Sequence, residues 1–373
     1  MDLLGTPLLL LSVALALAAP VGALLLWTRV RGPEAARVGQ RLLLVVTCQL
    51  TAVLLASVAL NHEFAFYESW SDLFGQDDSG GVVQSDSSSA SSHTVRPGPN
   101  QPQGGTLADP TPLPGLSRID GSQRVTRETV TGPASRVRAD VTIVTPADYA
   151  SHPDQRYPVV VFLPGYPGTP STWINKLGLI DVIDAQVAAG KVKPFIAVLP
   201  QMNIDGTRDL ECSDVAGGPK AGTWLGEDVP RIVESQVRAL PSGRDWGVAG
   251  YSTGGFCAAK LSLQYPHRYG AGAVLSGYFT PESDNPLFGN DTALLHRNDP
   301  MWIIGHGPVP SVRMLAVYSV QDPETAQPTE AFLAAAAKVR ELKVDKIKLS
   351  QGGHNTGVWQ GVLPQVLAWL SPA

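Results

Sequence analysis

The sequence predicts a doubly wound α/β domain with a mostly parallel sheet, preceded by two transmembrane helices. Three observations carry this expectation. Short apolar runs such as Val159–Leu163 alternate with helix-length stretches over the last 240 or so residues, a size that suits one large domain. A serine stands between glycines where one such run passes into a small-residue helix, in Gly250-Tyr-Ser-Thr-Gly254. Two long apolar runs, Leu3–Trp27 and Leu42–Leu60, come before all of this.

Each of those two runs is long enough to cross roughly 30 Å of hydrocarbon as a helix. A cleaved signal peptide ending near Ala16–Ala19 is the competing expectation, but the stretch lacks a positive leading region and opens with Asp2. Between the runs lie Arg29, Arg31, Arg37 and Arg41, which the positive-inside rule keeps in the cytoplasm. Both termini then face outward, and residues 116–373 lie on the extracytoplasmic side of a two-pass membrane protein. Residues 61–74 mix aromatic and polar side chains, as segments at the headgroup level do. Residues 75–115 are rich in Ser, Gly, Pro, Gln and Asp; they bury too little apolar surface to offset the entropy of ordering and read as a flexible tether.

In the domain beyond, Val137–Val144 alternates as an early strand. Strands follow at Val159–Leu163, Phe195–Leu199, Trp246–Ala249, Ala271–Leu275, Arg313–Val320 and Ile347–Leu349. Helices are expected at Thr172–Ala189, Leu225–Leu240, Phe256–Tyr265, Glu330–Leu342 and Val358–Leu370. Tyr278–Ser311 is long for a connection and reads as a lid or pocket wall.

The glycine-bounded serine is the chemical centre of the sequence. A strand-to-helix elbow crowds neighbouring backbones, so Gly250 and Gly254 must lack side chains, and Ser252 becomes the candidate nucleophile. Such a serine needs an acid and then a histidine later in the chain. His354 follows a late strand in Gly352-Gly-His, on a loop before the last helix, where a neutral imidazole can take the serine proton and return it. Asp322 ends the preceding apolar run and is the expected partner of His354, with Glu324 and Glu330 as rivals and a plain Asp-Pro turn as the alternative. The oxyanion requires one N–H after the serine and one from a loop after an earlier strand. Thr253 and Tyr166, the latter in Leu163-Pro-Gly-Tyr-Pro-Gly168, supply these candidates. His306, in a Gly-His-Gly run, precedes the acid strand and falls out of order.

These motifs resemble the esterase family of the alpha/beta-hydrolase fold, which includes esterase D, enterochelin and feruloyl esterases and the mycobacterial mycolyltransferases. The resemblance spans about Ser135 to Ala373 and rests on the Pro-Gly-Tyr-Pro-Gly loop, Gly-Tyr-Ser-Thr-Gly-Gly and the late Gly-Gly-His with its following Trp359. It implies a serine esterase or acyltransferase, with Ser252, Asp322 and His354 as triad and Tyr166 and Thr253 at the oxyanion. Two departures are visible. Pro164-Gly165 replaces the usual His-Gly, and no glutamate stands in Phe332–Ala337, where mycolyltransferases carry their acid.

Of the three cysteines, Cys48 lies in a span, whereas Cys212 and Cys257 lie in the outer domain. An oxidising compartment allows a Cys212–Cys257 bridge at the rim of the site; two reduced buried thiols are the alternative. Arg208–Glu211 reads as a solvated loop rather than a pocket wall. A net charge of -5 leaves no basic footprint for nucleic acid, and no Cys/His spacing suits a metal; neither metal nor cofactor is expected. The leading expectation is a membrane-tethered serine esterase acting through an acyl-enzyme on an ester substrate, with lipid-linked or envelope esters favoured by the tether. Acyl transfer to a lipid or sugar alcohol, and a non-catalytic surface protein on a retired hydrolase fold, are the alternatives.

Overall fold

Successive residues of Val159–Leu163 are buried on both sides of the chain, and they serve two different cores. Val159, Val161 and Leu163 face one, with Ile196, Val198, Val248, Ile232 and Phe256. Val160 and Phe162 face the other, with Ala197, Leu199, Trp173, Ile183, Leu363 and Val366. A strand covered on both faces has no polar side to show, which is why it reads as a continuous apolar run.

The computed structural model describes residues 5–64, 113–206, 208–282 and 287–371. The chain divides into two compact units, Met1–Asp109 and Pro110–Ala373. In the first, α1 (Thr6–Trp27) and α2 (Glu34–Phe64) are each long and apolar enough to cross a membrane. The second helix starts eight residues before the expected Leu42 and takes in Arg37 and Arg41; the Arg41 guanidinium lies 5.2 Å from the centre of the Trp27 ring. Helical structure also enters the expected aromatic segment as far as Phe64. The rest of that segment and most of the expected tether lie outside the described residues.

The second unit holds an eight-stranded sheet in the order β1-β2-β4-β3-β5-β6-β7-β8. Its strands are β1 Val125–Thr131, β2 Arg138–Val144, β3 Val159–Leu163, β4 Ile196–Pro200, β5 Gly243–Tyr251, β6 Tyr269–Leu275, β7 Val312–Ser319 and β8 Leu342–Leu349. The β1–β2 and β2–β4 pairs are antiparallel and the rest are parallel. Strand β1 is an edge strand of sequence Val-Thr-Arg-Glu-Thr-Val-Thr, mostly exposed, so it lacks the apolar run that marks the others. Strand β8 alternates Leu-Lys-Val-Asp-Lys-Ile-Lys-Leu and extends back to Leu342 the strand that the sequence reads as Val344–Leu349 before the Gly-Gly loop, with Ile347–Leu349 as its apolar part.

The helices of this unit are α3 Pro170–Asn175, α4 Leu179–Ala188, α5 Ala221–Thr223, α6 Val229–Gln236, α7 Thr253–Gln264, α8 Thr292–Arg297, α9 Pro300–His306, α10 Pro323–Ala336 and α11 Thr356–Leu370. The single helix expected over Thr172–Ala189 is two helices, because Gly178 adopts φ +61 and breaks the turn between them. The helix expected at Glu330–Leu342 instead begins at Pro323, with Asp322 at its N-cap, and ends at Ala336. Proline is tolerated in a first helical turn, where its missing N–H has no partner to lose. The expected Tyr278–Ser311 loop carries α8 and α9, capped by the Asp291 and Asp299 carboxylates.

Two glycines in these elements should respond in opposite ways to a methyl group. A Cβ on Gly254 would overlap the carbonyl oxygens of Leu163 and Pro164, whereas Gly361, exposed within α11, has nothing within 4 Å. Gly254→Ala is expected to lower unfolding free energy in urea by about 1–3 kcal/mol or more. Gly361→Ala should raise it by about 0.5–1 kcal/mol. Equal effects from the two would refute the packing described here.

Candidate active site

Strand β5 delivers Tyr251 into the sheet, and the next residue turns the chain into α7. Ser252 makes that turn at φ 55 and ψ -127, a conformation that crowds Cβ and costs on the order of 1–3 kcal/mol. The surroundings over-determine it. Its N–H donates to the Leu275 carbonyl at 3.0 Å, and its own carbonyl accepts from Gly255 at 2.9 Å and Phe256 at 3.1 Å. A Cβ on Gly250 would overlap the Gly254 carbonyl, so the elbow closes only with glycine at both sequence-predicted positions.

His354 sits opposite. Its Nε2 lies 2.9 Å from Ser252 Oγ and its Nδ1 lies 2.9 Å from Asp322 Oδ2. The Asp322 carboxylate is 5% exposed and also accepts from Thr325 Oγ1 at 2.6 Å. The three residues predicted from separate strand ends are therefore brought into one hydrogen-bonded chain. The rival acids stand apart from it: Glu330 accepts from Lys348 Nζ at 2.7 Å, and Glu324 is exposed in the first turn of α10. His306 is also elsewhere, stacked on Trp302 with ring centres 3.6 Å apart.

The histidine loop is clamped to the end of β7. Ser319 Oγ donates to the Gly352 carbonyl, Gly352 N–H donates to Gln321 Oε1 at 3.0 Å, and Val320 N–H donates to the Leu349 carbonyl at 3.0 Å. Gly352 has φ +101, a backbone state that favours glycine. On the other side the Asn355 side chain accepts from Val358 N–H at 3.1 Å and starts α11. Trp359 presents its ring edge-on to His354 at 5.2 Å, stacks on Tyr251 at 4.3 Å, and donates from Nε1 to Ser276 Oγ at 3.0 Å. The imidazole is thus held by backbone clamps and an aromatic wall as well as by its acid.

The loop after β3 lies against the nucleophile, since a Cβ on Gly165 would come within 3.0 Å of Ser252 Cβ. Asn203 Nδ2 holds this loop by donating to the Gly168 carbonyl at 2.6 Å and the Gly165 carbonyl at 3.2 Å. Tyr166 follows Gly165 on this loop, and Thr253 is the first residue of α7. Among the described residues, no loop or cap hydrogen bond takes the N–H of either.

Behind the elbow is a buried polar layer that sequence reasoning missed. The stretch expected to be a solvated loop has only Arg208 outward, paired with Asp205, while Asp209 and Glu211 turn in. Four charges in a short run usually mark a solvated face, and only the fold shows that a helix covers this one. Asp209 Oδ2 accepts from Thr253 Oγ1 at 2.8 Å and its Oδ1 accepts from Glu211 N–H at 2.8 Å. Glu211 accepts from Tyr278 OH and Glu282 N–H, each at 3.0 Å. The fully buried Lys260 donates to the Glu211 carbonyl at 2.5 Å, Ser213 Oγ at 2.8 Å and Asn298 Oδ1 at 3.0 Å. Burial pushes the Glu211 carboxyl up to about 7 and the Lys260 ammonium down to about 7, and their mutual attraction opposes both shifts. Cys212 and Cys257 are joined in a disulfide with Cα atoms 5.9 Å apart, the first of the two states left open by the sequence. Among the described residues, no cluster of three or more metal-ligating side chains occurs.

The Esterase family model, described as "Putative esterase", matches residues 135–372. The chain belongs to the esterase family. Solved structures agree with the fold: a ferulic acid esterase superposes with a TM-score of 0.58 at 20% identity, covering 66% of this chain and 97% of that chain. An S-formylglutathione hydrolase from Agrobacterium tumefaciens gives 0.54 at 16%, covering 65% and 93%. The fluorophosphonate-binding serine hydrolase F of Staphylococcus aureus gives 0.55 at 14%, covering 67% and 98%. An uncharacterized protein of Corynebacterium glutamicum is 28% identical over 157 residues, which are 39% of this chain and 35% of that protein; the match thus spans about a third of its relative.

Removing the Lys260 ammonium would take a donor from three buried oxygens, of which the Glu211 carbonyl keeps another, from Ser213 Oγ at 3.1 Å. Lys260→Met is expected to lower the unfolding free energy by about 3–5 kcal/mol in urea denaturation. A loss under about 1 kcal/mol would show that water or a shifted neighbour satisfies them instead.

Proposed function

We propose that this chain is a membrane-tethered serine esterase that cleaves carboxylic esters through an acyl-enzyme. The hydrogen-bonded chain from Ser252 through His354 to the buried Asp322 carries the reading. Ser252 Oγ attacks the ester carbonyl while His354 Nε2 takes its proton. Asp322 holds the other ring nitrogen, which fixes the tautomer and stabilises the imidazolium. The Tyr166 and Thr253 N–H groups receive the oxyanion, whose charge is met by donors that need no reorganisation. The carbonyl–alkoxy bond then breaks, the alcohol leaves with the proton from His354, and water activated by His354 releases the acid and restores Ser252.

The esterase names of the structural neighbours support the reaction class, while their low identity supports the fold only. The tether rests on α1 and α2, with the arginine-bearing turn between them on the cytoplasmic side. By that topology the chain after Phe64 emerges on the outer face, where a disulfide persists. Esters of lipids or of the envelope are then the substrates within reach.

Detergent-solubilised full-length chain should turn over p-nitrophenyl esters and be labelled by a fluorophosphonate at Ser252. Ser252→Ala should lose about 10⁴-fold or more in kcat, and Asp322→Asn about 10³–10⁴-fold. A folded wild-type chain inert toward acyl lengths from acetate to palmitate would overturn the reading. The tether has its own check. Alkaline carbonate should leave the chain in the membrane pellet, and a protease that cannot cross membranes should remove the Pro110–Ala373 unit from intact cells; release by carbonate, or protection from protease, refutes the anchor or its orientation.

A further inference from the structure

Thr253, Cys257 and Lys260 stand four and three residues apart, so they share one face of α7. Residues 209–213 are fastened along that face at all three points. Asp209 accepts from the Thr253 hydroxyl, Cys212 is bonded to Cys257, and the Glu211 carbonyl and Ser213 hydroxyl accept from Lys260. Glu211 and Cys212 both hold positive φ, 44 and 47, so the strap bends sharply to make these contacts. Tyr278 closes the layer by stacking on Phe256 at 4.7 Å and donating to Glu211.

The first of these fastenings lies at the residue following the nucleophile. Thr253 is 5% exposed, and its hydroxyl donates to Asp209 in the strap. A carboxylate that accepts one bond on each oxygen has little rotational freedom, and Asp209 accepts from Glu211 N–H on one and Thr253 Oγ1 on the other. Burial raises its pKa, and those two donors with the Lys260 charge act in the opposite direction.

We propose that Asp209 is a positioning residue for ester cleavage: held by the strap, its carboxylate anchors the Thr253 side chain and thereby aims the Thr253 N–H at the oxyanion. This rests on the reading of Thr253 as an oxyanion donor. A donor displaced by a few tenths of an ångström still meets the ground-state carbonyl but serves the transition state less well, so the effect falls on kcat rather than KM. Asparagine is the conservative variant, since its Oδ1 can accept from Glu211 N–H while its Nδ2 donates to the Thr253 hydroxyl, which accepts as well as donates.

The experiment compares wild type, Asp209→Ala, Asp209→Asn, Thr253→Val, Thr253→Ser and the Asp209→Ala/Thr253→Val double variant as full-length chains in detergent. Kinetics use p-nitrophenyl butyrate, normalised to sites titrated by a fluorophosphonate so that misfolded chains do not count. Asp209→Ala and Thr253→Val should each lower kcat about 10–100-fold with KM changed less than about twofold, whereas Asp209→Asn, which can keep both contacts, should lose less than about threefold. Thr253→Ser, which keeps the hydroxyl, should retain at least about tenfold more kcat than Thr253→Val. The double variant should fall no further than the weaker single variant, because both remove one interaction. If Asp209→Ala does not fold, the two Thr253 variants still decide. A change of kcat less than about threefold per titrated site in Asp209→Ala or Thr253→Val, a loss carried by KM, or additive losses in the double variant would each overturn the proposal while leaving the esterase intact. A wild-type chain without turnover would overturn the esterase reading and this proposal together.

Discussion

The structure of this domain depends on a backbone held where L-residues are crowded. Ser252 stands at φ 55 between a strand and a helix, and nothing local to the serine favours that state. Neighbours impose it: the Leu275 carbonyl takes its N–H, Gly250 and Gly254 let three segments of backbone approach, and the loop after β3 comes to rest against it. Because β5 pairs with both β3 and β6, the elbow at its end is held by the sheet on both sides. The strain at the serine is therefore stored in the sheet as a whole.

The histidine depends on the same sheet by another route. Strand β8 pairs with β7 along its length, which brings the loop after β8 beside the turn after β7. Ser319 and Gln321 then grip Gly352 from both of its peptide groups, and Asp322 faces His354 from the start of α10. One residue thus serves two purposes: Asp322 stands at the N-cap of a helix and carries the carboxylate that meets the imidazole. Its side chain does not cap that helix by accepting a backbone N–H, and Thr325 Oγ1 bonds the same oxygen as the imidazole. Local capping and the site compete for that side chain, and the site has it.

Beneath the elbow, charge is buried where apolar packing would be the simpler choice. Asp209 and Glu211 sit under α7 beside that helix's own Lys260, with their polar atoms met by a hydroxyl, an amide and backbone groups. A buried network of this sort is weak evidence for stability, since well-packed apolar groups of similar volume often do as well. It does fix geometry, because each bond has a direction and apolar contact has none. The disulfide between Cys212 and Cys257 lies in the middle of this network and joins the same two segments covalently.

Much of this was legible in the sequence because it depends on local pattern and order along the chain. Buried parallel strands show as apolar runs, as at Val159–Leu163. Gly250 and Gly254 mark an elbow that admits no side chain, and the order Ser252, Asp322, His354 follows the order of strands. The edge strand Val125–Thr131 was hidden, since a strand with a solvated face has no distinctive apolar run. Gly178 and Pro323 reset helix ends in ways that apolar periodicity does not record. The inward turn of Asp209 and Glu211, the grip of Asn203 on the Pro-Gly loop and the aromatic wall of Trp359 against His354 were decided by tertiary structure alone. The sequence by itself determined which residue types could do the chemistry and in what order they come. Only the fold decided which charges are buried and which hydroxyls meet, because burial and hydrogen-bond partners belong to pairs of segments far apart in the chain.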